Sequence, residues 1–206
     1  MRTLGLALLL LLAAACRPPA TGPVYFARGV PFTLRTPASG PKFFASQEVT
    51  FHQPGGATDT LLTTVENDGQ RLSVVASSPM GLTLFTIQVK GGATLVETKV
   101  PLPSQLDPRL LPALVQLANW PLEELRKGLG QGLELADEGP VRTLLRKGKV
   151  ALTLTRDGQT PPYKTVHLDV PSMAIAMDIR TLEEPDAQTE DAPGIPTEEQ
   201  VPHGVR

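Results

Sequence analysis

The hydrophobic period of this chain changes twice, and those changes constrain its fold more than anything else in it. Up to about residue 100 the apolar residues come in short alternating runs. Lys42 to His52 contains Val49-x-Phe51, Thr58 to Glu66 is rich in Thr and Leu, and Arg71 to Ala76 places Leu72, Val74 and Ala76 on one face. A period of two marks a half-buried strand. Gly81 to Lys90 has mixed parity, with Leu82 and Leu84 on one face and Phe85, Ile87 and Val89 on the other. Such a strand is either covered on both sides or bulged. Asn67-Asp68-Gly69 and Gly91-Gly92 are turn sequences, the second leading into Thr94 to Val100. Connections this short join antiparallel neighbours.

At Leu110 the period becomes helical: Leu110, Leu111, Leu114, Val115, Leu117 and Ala118. Asp107 and Pro108 suit a helix cap and first position. Pro112 would then lie past the first turn, where proline deletes a hydrogen bond. The alternative is a start near Leu111, with Asp107 to Leu110 as a lead-in turn. Trp120-Pro121 ends this helix, and a second, Leu122 to Leu129, is stopped by Gly128, Gly130 and Gly132. Alternation then returns in Val141 to Arg146, in Lys149 to Thr155 and in Val166 to Ile179. In the second of these Val150, Leu152 and Leu154 share a face; in the third Met173, Ile175, Met177 and Ile179 do. The predicted class is α+β, an antiparallel sheet interrupted by a central helical hairpin.

The ends differ from the middle. Arg2, the apolar run Leu4 to Leu12 and Ala13-Ala14-Ala15-Cys16 resemble a bacterial lipoprotein signal peptide with its lipobox. The resemblance implies cleavage before Cys16 and acylation of Cys16. Arg17 rather than Asp follows, which by the enteric sorting rule implies the outer membrane. Cys16 is the only cysteine, so once acylated it leaves no thiol for a disulfide. Residues 1–15 are thus expected to be the signal peptide, 16–23 a tether, 24–182 the folded domain and 183–206 a tail. That tail holds seven acidic residues, four prolines and no aromatic residue, and is expected to be disordered. Outside it the charge is too weakly positive to suggest nucleic acid.

A search for catalytic chemistry yields little. His52 and His167 lie on separate predicted strands with no ligand spacing around them, and His203 lies in the tail. Gly128-x-Gly130-x-Gly132 lacks a preceding strand and is better understood as a helix stop. Glu123 and Glu124 suit the positive end of a helix. No enzyme activity, metal or cofactor is expected. Trp120, the single tryptophan, is either a core anchor between two helices or the lip of a lipid pocket. Met80 and Leu82 sit in the turn sequence Pro79-Met80-Gly81-Leu82, where they could face a bilayer.

Two stretches carry a further resemblance. They are Ser78-Pro79-Met80-Gly81-Leu82-x-Leu84-Phe85-Thr86 and Leu102-Pro103-x-x-Leu106-Asp107-Pro108-x-Leu110-Leu111-x-x-Leu114-x-Gln116-Leu117-Ala118-x-Trp120-Pro121. They resemble an uncharacterised family of bacterial lipoproteins, associated with aryl polyene-type gene clusters and similar to the LolA/LolB carriers. That resemblance implies a curved, incomplete antiparallel β-barrel with helices covering its concave side. It also implies a cavity for acyl chains, with Leu84, Leu114, Leu117, Trp120, Leu152 and Ile175 as candidate lining. The implied function is an outer-membrane-anchored lipoprotein, facing the periplasm, that binds or transfers a lipid or acylated ligand. The alternative is a non-catalytic envelope adaptor that docks a protein partner.

Overall fold

The computed structural model describes residues 21–52, 55–100 and 107–182. The signal segment, Cys16 with the start of the tether, and the acidic tail lie outside the described residues. No described helix is long and apolar enough to cross a membrane.

A short ribbon opens the fold, β1 (Val24–Tyr25) pairing with β2 (Pro31–Phe32). Five strands follow: β3 (Phe43–His52), β4 (Thr58–Asn67), β5 (Leu72–Ser77), β6 (Thr83–Lys90) and β7 (Ala93–Thr98). Two helices, α1 (Leu110–Asn119) and α2 (Leu122–Arg126), separate them from β8 (Leu133–Glu138), β9 (Val141–Arg146), β10 (Lys149–Asp157), β11 (Thr165–Val170) and β12 (Ile175–Leu182). The ten long strands form one open antiparallel sheet in the order β7-β6-β5-β4-β3-β12-β11-β10-β9-β8. All neighbours are consecutive in the chain except β3 and β12, which pair from Ala176 with His52 to Leu182 with Ser46. The edge strands β7 and β8 are themselves consecutive. In strand order the sheet is therefore a meander with one break, between β7 and β8, whose connection in the chain carries α1 and α2.

Register explains the core. Ala45, Val65, Val74 and Ile87 lie opposite one another across four strands, and so do Leu154, Leu168 and Met177 across three. Period-two alternation sends all of them to one face. There they join Ala113, Leu114, Leu117 and Ala118 of α1, Trp120, Leu125, and Val24, Phe26, Val30 and Phe32 of the N-terminal segment in a single buried cluster. Each such Leu, Val or Phe contributes about 1.5–3 kcal/mol by leaving water.

The structure settles the start of α1. Arg109 is the cap residue, so Pro112 is the third helical position. The first N–H groups of a helix have no partner within it, and a proline there costs no hydrogen bond. Asp107 accepts from Arg109 N at 3.0 Å and shapes the lead-in turn.

Several expectations need correction. The second helix stops at Arg126; beyond it Gly128 N bonds Leu125 O, and Leu129 bridges to Phe32. The stretch from Val166 to Ile179 is two strands, because Pro171 opens a short 3₁₀ turn and Ala174 takes a left-handed φ of 51°. Val150 does not face inward with Leu152: a register shift between them leaves Val150 exposed and turns Ala151 inward. Strand β8 was not anticipated. The mixed parity of β6 is a bulge, with Ala76 opposite Phe85 but Ser77 opposite Thr83.

Candidate functional site

The strands β8, β9 and β10 end beside the C-terminus of α1, and their inward positions there are charged. Arg142 shares the inner face of β9 with Leu144, and Arg156 shares that of β10 with Leu154 and Leu152. Arg142 is 3% exposed and Arg156 7%. Both point at Asp137 of β8. Arg142 Nη2 donates to Asp137 Oδ2 at 2.5 Å, its Nε to the same oxygen at 3.2 Å, and Arg156 Nη2 donates to Asp137 Oδ1. Arg142 Nη1 also donates to Leu117 O at 2.5 Å and to Trp120 O at 3.1 Å. These are end-of-helix carbonyls, where the α1 dipole is negative and attracts a cation. Burial pushes the Arg142 guanidinium below its ordinary value and the Asp137 bond opposes that shift; a guanidinium nonetheless stays charged. Arg156 stacks over the Tyr163 ring at 5.0 Å.

Trp120 closes the other side. It caps α1, its N–H bonding Gln116 O at 2.9 Å, and it is 1% exposed. Its indole Nε1 donates to Ser39 Oγ at 3.2 Å. The ring lies so close to Gly40 that a Cβ there would fall 2.2 Å from Cε2. Between these groups lies a broadly open cleft of about 640 Å³, whose lining includes the apolar Trp120, Pro121, Leu122, Pro161 and Tyr163 and the charged Asp137, Arg142 and Arg156. Trp120 is thus a core anchor that also lines a cavity.

The other candidates separate. Leu114, Leu117 and Leu152 are buried in the core cluster with Trp120, and Leu84, half-buried at the bulge, packs against that cluster. Ile175, half-buried at the start of β12, is not part of it. Met80 and Leu82 protrude from the turn between β5 and β6, 85% and 64% exposed. That turn is closed by Gly81 N to Ser78 O and Ser78 N to Leu82 O, both 2.9 Å.

A second cluster lies on the outer face of the sheet. His52 of β3 and His167 of β11 flank Asp178 of β12, with His52 Nε2 at 2.6 Å from Oδ2 and His167 Nδ1 at 2.6 Å from Oδ1. A carboxylate only accepts, so the ring N–H that faces it donates from each histidine. The His167 bond, with that of His52, holds the Asp178 carboxyl below its ordinary value. Among the described residues no group of three or more His, Cys, Asp or Glu side chains is placed to hold a metal ion. Sequence reasoning kept the two histidines apart because it did not place β12 between β3 and β11. It missed Arg142 and Arg156 as well. The available signal was an arginine falling in phase with inward leucines, which marks a charge turned to the core.

A family model described as a protein of unknown function (DUF3261) matches residues 45–183. No curated protein matches the chain.

Proposed function

We propose, for a chain that belongs to the DUF3261 family of proteins of unknown function, that it is a lipid-anchored envelope protein which binds or transfers an acylated ligand. In this reading the open sheet is a LolA/LolB-like half-barrel and α1 and α2 cover its concave side. Cys16 carries the acyl anchor, in the outer membrane and facing the periplasm. One chain alone would hold only marginally, so the anchor needs several.

The observation that carries the reading is the cavity of about 640 Å³ beside Trp120. Ligand sites are typically clefts of about 300–1,000 Å³ with apolar walls and a few placed polar groups. Here the apolar walls include Trp120, Pro121, Leu122, Pro161 and Tyr163, and the charged groups are Asp137, Arg142 and Arg156. Carriage of an acyl chain needs no nucleophile or general base. The exposed Met80 and Leu82 supply an apolar tip that fits a membrane surface.

Native mass spectrometry of the protein purified from membranes tests the idea. A bound lipid, together with uptake of a fluorescent acyl probe, is the expected result; a ligand-free protein that takes up no probe overturns it. Metabolic labelling with a palmitate analogue tests the anchor, with label lost in Cys16→Ser.

A second reading is an anchored adaptor that docks a protein partner. It draws on the burial of Leu114, Leu117 and Leu152 among other side chains. In-cell cross-linking to one specific envelope protein, with no lipid bound, would favour it.

A further inference from the structure

The cavity beside Trp120 has unbalanced charge. Its lining holds two guanidiniums and one carboxylate, Asp137, with no other acidic side chain. Every nitrogen of Arg142 has a partner, in Asp137 or in the carbonyls of Leu117 and Trp120. Not every nitrogen of Arg156 does. Its Nη2 bonds Asp137 and, at 3.1 Å, Gly139 O. Its Nη1 has a single long contact, 3.4 Å to Tyr163 Oη, and its buried Nε has no partner. A buried cationic donor without a partner is costly, and Arg156 is more than nine-tenths buried. The guanidinium fork matches the paired oxygens of a carboxylate or phosphate.

We propose that this cavity is the head-group site of an anionic amphiphile, with Arg156 binding its phosphate or carboxylate and Trp120, Pro121 and Leu122 flanking the start of its chain. The inference rests on the lipid-carrier reading and narrows it from any acylated ligand to one with an acidic head. Tyr163 contributes by stacking on Arg156, which keeps the guanidinium plane fixed. Asp137 holds both arginines in the cavity wall while neutralising only one of them.

The test uses the full chain in a non-ionic detergent, titrated with octyl phosphate, octanoate, octanol and inorganic phosphate. Trp120 is the only tryptophan, so its emission reports on this cavity directly. Octyl phosphate and octanoate are expected to bind about tenfold or more tighter than octanol, the size of a charge-assisted hydrogen bond. Arg156→Gln is expected to bring octyl phosphate to the octanol level, and Arg156→Lys to restore part of the difference. Circular dichroism confirms that both variants fold, and the comparison of ligands on the unaltered protein needs no variant. Octanol binding as tightly as octyl phosphate overturns the head-group assignment and leaves the acyl-ligand reading standing. Inorganic phosphate binding as tightly as octyl phosphate makes this a free-anion site and overturns the amphiphile. No response to any of the four overturns both.

Discussion

The side-chain amide of Gln116 takes both main-chain hydrogen bonds of Arg35, accepting from Arg35 N at 2.8 Å and donating to Arg35 O at 2.8 Å. Gln116 is fully buried, so water offers no substitute. The amide ties the N-terminal segment to α1 much as a neighbouring strand would. Gln116→Ala leaves two main-chain groups unpaired, at roughly 1–3 kcal/mol for each buried group. The expected loss in urea unfolding is about 2–6 kcal/mol.

Gly40 faces the Trp120 ring with no room for a methyl group. Its φ of −111° suits any residue, so the constraint is contact alone. Gly40→Ala is expected to cost about 1–3 kcal/mol, the usual penalty of overpacking. A shift in Trp120 emission should accompany the lower unfolding midpoint. A variant with unchanged emission and midpoint would show that the ring and this segment do not pack as described.

Asp178 gives a pH dependence of known sign. Its folded carboxyl lies below the ordinary value of 3.8, first through the His167 bond and also through that of His52. A depressed folded pKa adds stability above the unfolded value and loses it as the pH falls through the folded one. Asp178→Asn should therefore flatten the acid limb of a stability–pH profile below about pH 4. The pair is half-exposed, so the effect should shrink in high salt.

The turn bearing Met80 and Leu82 can be tested apart from the fold. Met80→Ser with Leu82→Ser removes apolar surface that touches little else, so the unfolding midpoint should move by less than about 0.5 kcal/mol. Partition onto phosphatidylcholine vesicles of the chain shortened to begin at Arg17, measured by sedimentation, should fall about tenfold. Unchanged partition would remove this tip from the membrane contact.

Much of the sheet was legible because alternation is a local signal. Leu72, Val74 and Ala76 face inward as their spacing requires, and Asn67-Asp68-Gly69 turns the chain between β4 and β5. The errors lie where one backbone event outweighs the pattern. Pro171 and left-handed Ala174 cut one apolar stretch into a hairpin, and the register shift at Val150 reversed that side chain. Leu133 to Glu138 was missed because only Leu135 in it is fully buried, so it carries hardly any pattern. Trp120 was legible as an anchor. The cavity beside it was not, because Asp137, Arg142 and Arg156 meet only through the pairing of three strands.

The position of β12 bears on how the molecule is made. It is hydrogen-bonded to β3 on one side and β11 on the other, so within the sheet it alone links the meander β3–β7 to the meander β8–β11. Synthesis proceeds from the N-terminus, so residues 175–182 are the last described strand to emerge. A ribosome-stalled or truncated product ending before residue 175 would expose two unpaired strand edges, an invitation to aggregation.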